Sequence, residues 1–178
     1  DVCLPCTEGY YCLVGSTVPT ECPGGTYRNI LGATQSGECF SCPVGQYCGV
    51  ATVSPTSCPA GTFRADQGAS LVTDCLVCPV AQYCPMATFE PIDCPAGTFR
   101  AGTGGVNRAS CTTCPTGNYC LQKVTAPTQC PAGTYRAATG ANDVTDCLPC
   151  PNGQFCAQGT TTPTSCRSEE HTSELQSH

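Results

Sequence analysis

The sequence predicts a small, disulfide-rich tandem-repeat fold, made of short β-strands and turns with little or no helix and arranged as an elongated rod of 36-residue modules. Three observations predict it. The chain holds 20 cysteines among 178 residues, those cysteines recur with a fixed period, and a turn-forming phrase follows two of every four of them. A cysteine content of about 11% lies above the roughly 8–10% that marks a disulfide scaffold. Leu, Ile, Phe and Met are few, so the chain lacks the side chains for one large apolar core.

The cysteines fall into five groups, and each group repeats the one before it 36 positions later without insertion or deletion. Two, five and nine residues separate the cysteines within a group, and sixteen residues lead to the next group. This period predicts repeats at residues 3–38, 39–74, 75–110 and 111–146, followed by a partial fifth repeat at 147–166. A unit of this size is too small to fold on an apolar core alone, so we expect disulfides to staple each one.

The two ends of the chain depart from the repeat. No signal peptide precedes Cys3, so we expect the natural N-terminus to lie further upstream. After Cys166 the period predicts Pro-Ala-Gly-Thr-Tyr-Arg, but residues 167–178 read Arg-Ser-Glu-Glu-His-Thr-Ser-Glu-Leu-Gln-Ser-His. This string resembles the in-frame translation of a DNA sequencing adaptor, and we interpret it as an artefact outside the fold.

Each repeat contains two versions of one frame. The fourth cysteine opens Cys-Pro-Ala/Gly-Gly-Thr-Tyr/Phe-Arg, as from Cys58 to Arg64, and the second opens Cys-Pro-x-Gly-x-Tyr/Phe-Cys, as from Cys42 to Cys48. Pro suits the second position of a type I turn and Gly the fourth, so Cys-Pro-Ala-Gly predicts that turn, and Thr-Tyr/Phe-Arg predicts a short strand. The segments after each Arg are rich in Gly, Ala, Asn and Thr and predict loops.

The frame aromatics are the candidate core. We expect each of them to form a small apolar plug packed on a disulfide. They are Tyr27, Phe63, Phe99 and Tyr135 after the fourth cysteines, and Tyr11, Tyr47, Tyr83, Tyr119 and Phe155 after the second ones.

Four cysteines in a group allow three connectivities, and the sequence alone does not choose among them. We favour the pairing of the fourth cysteine with the first of the next group, and of the second with the third, because it closes both frames. The favoured bonds are Cys6–Cys12, Cys22–Cys39, Cys42–Cys48, Cys58–Cys75, Cys78–Cys84, Cys94–Cys111, Cys114–Cys120, Cys130–Cys147 and Cys150–Cys156. They leave Cys3 and Cys166 unpaired where the repeat is cut. The alternative pairs first with third and second with fourth inside each group, and leaves none unpaired.

Composition excludes several function classes. Twenty thiols suit an oxidising compartment, so we expect a secreted chain or the ectodomain of a membrane protein. The net charge of −6 is spread thinly without a basic patch, which argues against a nucleic-acid partner. No stretch approaches 18 consecutive apolar residues, so we expect no membrane insertion by this segment.

Catalytic and metal sites lack their parts. The repeats contain no His, and their carboxylates are scattered, so we expect neither an enzyme nor a cofactor. Redox catalysis by the Cys-x-x-Cys pairs would need a βαβ context, which is missing. Zinc would need a second such pair 15–20 residues on, whereas the next one begins 36 residues on. We therefore expect no metal site.

The frame arginines Arg28, Arg64, Arg100 and Arg136 recur at the same position of each repeat. They could form a ladder for an anionic partner. The favoured interpretation is structural: each Arg stacks on a neighbouring aromatic ring or bonds loop carbonyls. Glu38, Asp74 and Asp146 each precede the first cysteine of a group and are candidate partners for these arginines.

The phrase Cys-Pro-Ala-Gly-Thr-Phe/Tyr-Arg, followed by a cysteine about sixteen residues on and then x-x-Cys-Pro, resembles the ephrin-receptor-like cysteine-rich repeat of the growth-factor-receptor cysteine-rich group. The likeness covers Cys3 to Cys166; the extra cysteine after Tyr47 departs from it. The chain is also similar to the first half of tumour-necrosis-factor-receptor modules, in which Cys-Pro-x-Gly-x-Tyr opens a loop closed by the next cysteine. That similarity supports Cys22–Cys39. The resemblance implies extracellular modules for spacing, adhesion or ligand binding, without catalytic residues.

We therefore expect a structural spacer or a protein-interaction and adhesion surface, with protein or glycan partners at the cell surface. Nearly identical copies favour a generic rod over one tuned binding patch. The alternative is the ligand-binding ectodomain of a receptor, and a remote one is a metal-binding thiol protein. The third repeat differs most, with Ala81, Pro85-Met86 and Phe89-Glu90-Pro91-Ile92, so a specific site is expected there.

Overall fold

The computed structural model describes residues 5–166. Cys3, predicted to be unpaired, and residues 167–178, interpreted as an artefact, lie outside the described residues. Between residues 5 and 166 the regular structure consists of two-residue strands and three-residue 3₁₀ helices, without an α-helix. The predicted class of small disulfide-rich tandem modules is confirmed. None of the helices in this range has the length and apolar character needed to cross a membrane.

The strands pair two by two in chain order, each odd-numbered strand antiparallel with the strand that follows it, which produces a series of two-stranded hairpins. The strands are β1 (Tyr10–Tyr11), β2 (Thr20–Glu21), β3 (Thr26–Tyr27), β4 (Phe40–Ser41), β5 (Gln46–Tyr47), β6 (Thr56–Ser57), β7 (Thr62–Phe63), β8 (Leu76–Val77), β9 (Gln82–Tyr83), β10 (Ile92–Asp93), β11 (Thr98–Phe99), β12 (Thr112–Thr113), β13 (Asn118–Tyr119), β14 (Thr128–Gln129), β15 (Thr134–Tyr135), β16 (Leu148–Pro149), β17 (Gln154–Phe155) and β18 (Thr164–Ser165). We number the hairpins in chain order, so that hairpin 5 is β9–β10 and hairpin 7 is β13–β14.

Short and long hairpins alternate because the two frames alternate. In the odd-numbered short hairpins the frame aromatic faces a residue nine positions on, as Tyr11 faces Thr20. In the even-numbered long hairpins the partner is thirteen positions on, as Tyr27 faces Phe40. A 3₁₀ helix closes each long loop just before the first cysteine of the next group. These helices are Ser36–Glu38, Val72–Asp74, Arg108–Ser110 and Val144–Asp146.

The chain divides into two compact units, each described by itself. One comprises the described residues up to Asp93 together with Arg100–Cys111; the other comprises Cys94–Phe99 and the described residues from Thr112 onward. Both use the same bond between successive hairpins. The amide of the frame glycine donates to a carbonyl in the next hairpin, as Gly9 N to Arg28 O (2.8 Å) in the first unit and Gly117 N to Arg136 O (2.8 Å) in the second.

The frame turn lies one residue later than the sequence analysis placed it. Thr62 N donates to Pro59 O at 3.1 Å, and Gly61 has φ +88°. The turn is therefore Pro-Ala-Gly-Thr, with glycine at its third position, where a type II turn requires positive φ. The predicted type I turn over Cys-Pro-Ala-Gly was wrong, because the glycine is needed for its backbone conformation and not as a turn terminator.

The interior is made of disulfides, and the expectation of an aromatic plug was wrong. The largest fully buried side chains of the described residues are all cysteines, joined in the long loops by Ala33, Ala69 and Ala141 at 1% exposure or less. The frame aromatics are only partly buried, and Phe155 is 64% exposed. Two-residue strands are too short to cover a ring on all sides, whereas a disulfide needs little cover.

The substitution Gly45→Ala tests the close approach at the frame glycine. Gly45 has φ +71°, and an added Cβ would lie 2.3 Å from the carbonyl oxygen of Ala87. Positive φ alone costs a residue with a side chain about 1–2 kcal/mol, and the clash adds to that. We expect the free energy of unfolding of the repeat, measured by denaturant titration, to fall by at least about 2 kcal/mol.

Gly37→Ala is the matched control. An added Cβ at Gly37 meets nothing within 4 Å, and φ is not positive. We expect a change within about 0.5 kcal/mol there. Equal losses in the two variants would contradict the proposed role of the frame glycine.

Candidate interaction surface

The disulfides of the structure are the pairs that closure of the two frames favours. Cys22–Cys39 and its equivalents join cysteines 17 residues apart, and Cys42–Cys48 and its equivalents join cysteines 6 apart. The bonds are Cys6–Cys12, Cys22–Cys39, Cys42–Cys48, Cys58–Cys75, Cys78–Cys84, Cys114–Cys120, Cys130–Cys147 and Cys150–Cys156. Cys94 and Cys111 are also disulfide-bonded, and among the described cysteines Cys166 is free and exposed. In the chain-entropy view a short loop contributes about 2 kcal/mol and a long one about 3 kcal/mol.

Each frame arginine ties together the long loop that follows it. All four guanidinium groups donate to two loop carbonyls, one two or three residues ahead and one ten residues ahead. The acceptors are Ile30 and Glu38 for Arg28 (2.9 and 2.8 Å), Asp66 and Asp74 for Arg64 (3.1 and 3.4 Å), Thr103 and Ser110 for Arg100 (2.7 and 2.8 Å), and Ala138 and Asp146 for Arg136 (3.2 and 3.2 Å). The interpretation that these arginines bond loop carbonyls is confirmed. Because those donors are engaged within the loops, the ladder for an anionic partner loses its main support.

Arg28 also makes the stacking contact that the sequence analysis considered. Its Cζ lies 5.2 Å from the ring centroid of Phe40, and the rings of Tyr27 and Phe40 are 5.6 Å apart. The equivalent of Phe40 is Leu76 or Leu148 in other repeats. The carbonyl bonds are therefore the general feature of the frame arginine, and the stacking is particular to hairpin 2.

The acidic residues before the first cysteines mostly act on the loop backbone. Glu38 reaches its arginine, with Arg28 Nη2 3.8 Å from Oε2. Asp74 Oδ2 instead accepts from the amides of Ser70 (2.8 Å) and Leu71 (3.0 Å). The carboxylate of Asp146 accepts a similar bond from the amide of Asn142 at 2.8 Å. The predicted partnership with arginine is therefore made through the carboxylate at Glu38, whereas at Asp74 and Asp146 the arginine bonds the backbone carbonyl of the same residue.

Ser110 does the same work in the third repeat and was missed. Its Oγ accepts from the amide of Val106 at 3.1 Å, and its backbone carbonyl accepts from Arg100. The available signal was its position immediately before Cys111, which matches that of Asp74 and Asp146.

Two carboxylates have shifted pKa values for this reason. The backbone amides of Leu71 and Ser70 hold the pKa of Asp74 below its ordinary value of 3.8, with a smaller contribution from Arg64. The amide and then the hydroxyl of Thr145 lower the pKa of Asp143, whose carboxylate accepts from Thr145 N at 2.9 Å. Both groups are fixed in the ionised form at neutral pH as acceptors for loop amides.

Hairpin 5 carries the most distinctive surface of the described residues, at the place where the sequence analysis expected a specific site. Met86 is 69% exposed, Phe89 56% and Ile92 44%. With Pro85 and Pro91 they line an open concavity of about 500 Å³. We call these five residues the hairpin 5 patch. In hairpin 7 the positions equivalent to Met86, Phe89 and Ile92 hold Gln, Thr and Thr. Apolar side chains at these positions are therefore not required by the fold of the hairpin.

The backbone beneath this patch is fixed. Thr88, 9% exposed, donates from its hydroxyl to Pro85 O at 2.6 Å. Gln82, also 9% exposed, donates from Nε2 to Asp93 Oδ1 at 2.7 Å. Gly105 replaces the buried alanine of the other long loops, and a Cβ there would lie 2.7 Å from Gln82 O. The third repeat therefore differs inside as well as on its surface.

The described residues contain no group of three or more His, Cys, Asp or Glu side chains arranged to hold a metal ion. No known protein-family model and no curated protein matches the chain. The fold thus carries the assignment: the many disulfides in repeated modules indicate an extracellular or secreted cysteine-rich repeat protein.

The substitution Arg28→Gln tests the tie across the long loop. It removes two charge-assisted hydrogen bonds to carbonyls and the contact with Phe40. Hydrogen bonds to charged groups contribute about 1.5–3 kcal/mol, so we expect a loss of about 2–3 kcal/mol in the stability of that repeat, measured by amide hydrogen exchange. Arg108→Gln, at an exposed position, is the control and should change little. A similar loss in both variants would show that charge, and not the tie, is responsible.

Asp74 should contribute to acid sensitivity. Because its pKa is lower in the folded chain than its ordinary value of 3.8, its stabilising contribution is present above about pH 4 and is lost as the pH falls through the folded pKa. Asp74→Asn should lower stability at neutral pH and weaken the loss of stability below pH 4 in urea titrations at several pH values. Asp66→Asn, at an exposed position in the same loop, serves as the control. Identical pH profiles for the two variants would be inconsistent with this role.

Proposed function

We propose that the chain is a non-catalytic structural spacer of an extracellular protein, which presents its loop surfaces to protein or glycan partners at the cell surface. The observation that carries the proposal is the constancy of the bond between hairpins. Gly9 N to Arg28 O, Gly45 N to Arg64 O and Gly117 N to Arg136 O all measure 2.8 Å, and the equivalent bond of the third repeat, Ala81 N to Arg100 O, measures 3.0 Å. What varies between repeats lies mainly at exposed loop tips.

A geometry repeated in this way suits a spacer, whose function depends on its length, better than a protein built around one reactive site. Short-range disulfides, none spanning more than 17 positions among the bonds given above, close the chain within a repeat or between neighbouring repeats, and the interior is disulfide and alanine. Repeats contact mainly their neighbours, so adding one extends the structure without altering the rest. The resemblance to ephrin-receptor-like modules, which serve spacing and adhesion, points the same way. An elongated arrangement of the modules is part of this proposal.

An enzymatic role has little support. The described residues include no histidine, and Asp74, Asp143 and Asp146 use their carboxylates on loop amides. The described cysteines other than Cys166 are disulfide-bonded, which also removes the thiolates that a metal-binding protein would need. We therefore propose that the chain acts through its surface alone.

The hairpin 5 patch favours a second function, that of a ligand-binding ectodomain. Met86, Phe89 and Ile92 are exposed together on a backbone that Thr88 and Gln82 hold in place. Aromatic residues and Met are enriched in protein interfaces relative to the rest of the surface. In this alternative the third repeat binds, and the others set its distance from the cell.

Two deletions of equal length separate the functions. Removal of residues 39–74 or of residues 75–110 takes out one 36-residue period and keeps the cysteine spacing in phase. If the chain is a spacer, small-angle X-ray scattering should show the same decrease in maximum dimension for both variants. Binding to cultured cells, measured by flow cytometry, should then be equal as well.

The two functions differ in the second measurement. Loss of cell binding only on removal of residues 75–110, which contain hairpin 5, would favour the ligand-binding ectodomain. A maximum dimension that does not decrease with either deletion would overturn the spacer.

A further inference from the structure

The disulfides leave regularly placed stretches of chain unprotected. Each bond closes before the next one opens, as Cys42–Cys48 is followed by Cys58–Cys75. The loops of the short hairpins lie in the gaps between consecutive bonds. A break in such a loop would therefore leave no covalent link between the two parts of the chain, whereas a break inside a long loop would leave both parts joined.

This property is certain for the loop of hairpin 7, residues 121–127. Cys114–Cys120 closes just before it. Every described cysteine after it is bonded within Cys130–Cys147 or Cys150–Cys156, or is the free Cys166. Residues 167–178 contain no cysteine. Thus no disulfide can span this loop.

The same loop holds the one lysine of the chain, Lys123. Lys123 is exposed, and Leu121 and Gln122 before it and Thr125 and Ala126 after it are exposed too. The five described arginines lie elsewhere. Arg28, Arg64, Arg100 and Arg136 bond loop carbonyls inside the long loops, and Arg108 lies in the third 3₁₀ helix. A basic residue in a gap between disulfides therefore occurs once among the described residues.

The backbone at Lys123 is unusual for its residue type. It has φ +61°, at the loop position that Gly15 and Gly159 occupy in two other short hairpins and that Ala51 and Ala87 occupy, also at positive φ, in the remaining two. A residue with a side chain costs about 1–2 kcal/mol in this conformation, which lowers the free energy needed to open the loop locally.

We propose that the loop of hairpin 7 is a processing site at which a trypsin-like endoprotease, specific for a basic side chain, cuts the array. Hydrolysis breaks the peptide bond between Lys123 and Val124. Water supplies the hydroxyl to the carbonyl carbon of Lys123 and a proton to the nitrogen of Val124. No oxidant or reductant is needed, and the disulfides are untouched.

The cut parts stay associated through non-covalent contacts. Strands β13 and β14 remain paired, with Asn118 opposite Gln129 and Tyr119 opposite Thr128. Cys130 N still donates to Gly117 O at 2.9 Å. The two parts are also joined by Gly117 N to Arg136 O (2.8 Å), Cys120 N to Ala141 O (3.0 Å) and Gly140 N to Cys114 O (2.8 Å). Release therefore requires these contacts to open together with the hairpin, but it needs no reduction of a disulfide.

Trypsin at low ratio, applied to the full oxidised chain, tests the proposal. Non-reducing gel electrophoresis in detergent should show two separate fragments, and N-terminal sequencing should find the second beginning at Val124. Lys123→Gln should abolish these fragments, and Lys123→Arg should restore them. Sequencing makes the result independent of any trimming at Arg167.

A relocated lysine is the matched control. In the Lys123→Gln background, Thr139→Lys places an exposed basic residue inside the Cys130–Cys147 loop. Its cleavage should leave one band without reductant and two bands after reduction. The proposal is overturned if the bond after Lys123 survives while a new N-terminus appears first at Ala109. It is also overturned if the fragments at Val124 stay covalently joined without reductant.

Discussion

The structure depends on the approach of one backbone to another at the frame glycine. In most hairpins a glycine with positive φ donates its amide to the next hairpin, and from Gly9 to Gly117 a carbonyl of the hairpin after that occupies the space where its Cβ would be. Hairpin 5 makes the same amide bond from Ala81, which also has positive φ. At Gly45 that carbonyl belongs to Ala87, 2.3 Å from the ideal Cβ position. Because the contact is made by backbone alone, side chains elsewhere can vary without changing how successive hairpins meet.

The disulfides and the arginines hold each hairpin in the form that this contact needs. A two-residue antiparallel pair is marginal in water by itself. Cys58–Cys75 joins the residue that opens the frame before β7 to the end of the long loop, directly before β8, and Arg64 crosses the same loop to the carbonyls of Asp66 and Asp74. The disulfide lowers the conformational entropy of the unfolded chain. The guanidinium donates hydrogen bonds to loop carbonyls that have no partner in a strand. Together they replace the apolar core that the composition denies to the chain.

Periodicity in the sequence was sufficient for the module, its closed frames and the loop-binding role of Arg28. It was insufficient where the role of a residue is a backbone conformation or a hydrogen bond to backbone amides. The turn around Gly61 was misplaced because proline marks more than one turn position, and only φ distinguishes them. Ser110 was missed because a hydroxyl and the carboxylate of Asp74 accept the same amide bonds, although the residues differ in charge. The exposed face at Met86 was located, since it breaks the repeat.

The consecutive order of the bonds along the chain, without overlap, has a consequence for how the protein is made. Cys42 bonds to Cys48 and Cys58 bonds to Cys75, at sequence separations of 6 and 17. The first loop is complete before the second begins. A chain emerging residue by residue into an oxidising compartment can therefore complete each bond before the cysteines of the following one arrive. Domains fold as units during synthesis, and here the unit is a single loop. Array length then adds no new choice of thiol partner, so long arrays can oxidise with no more rearrangement than short ones.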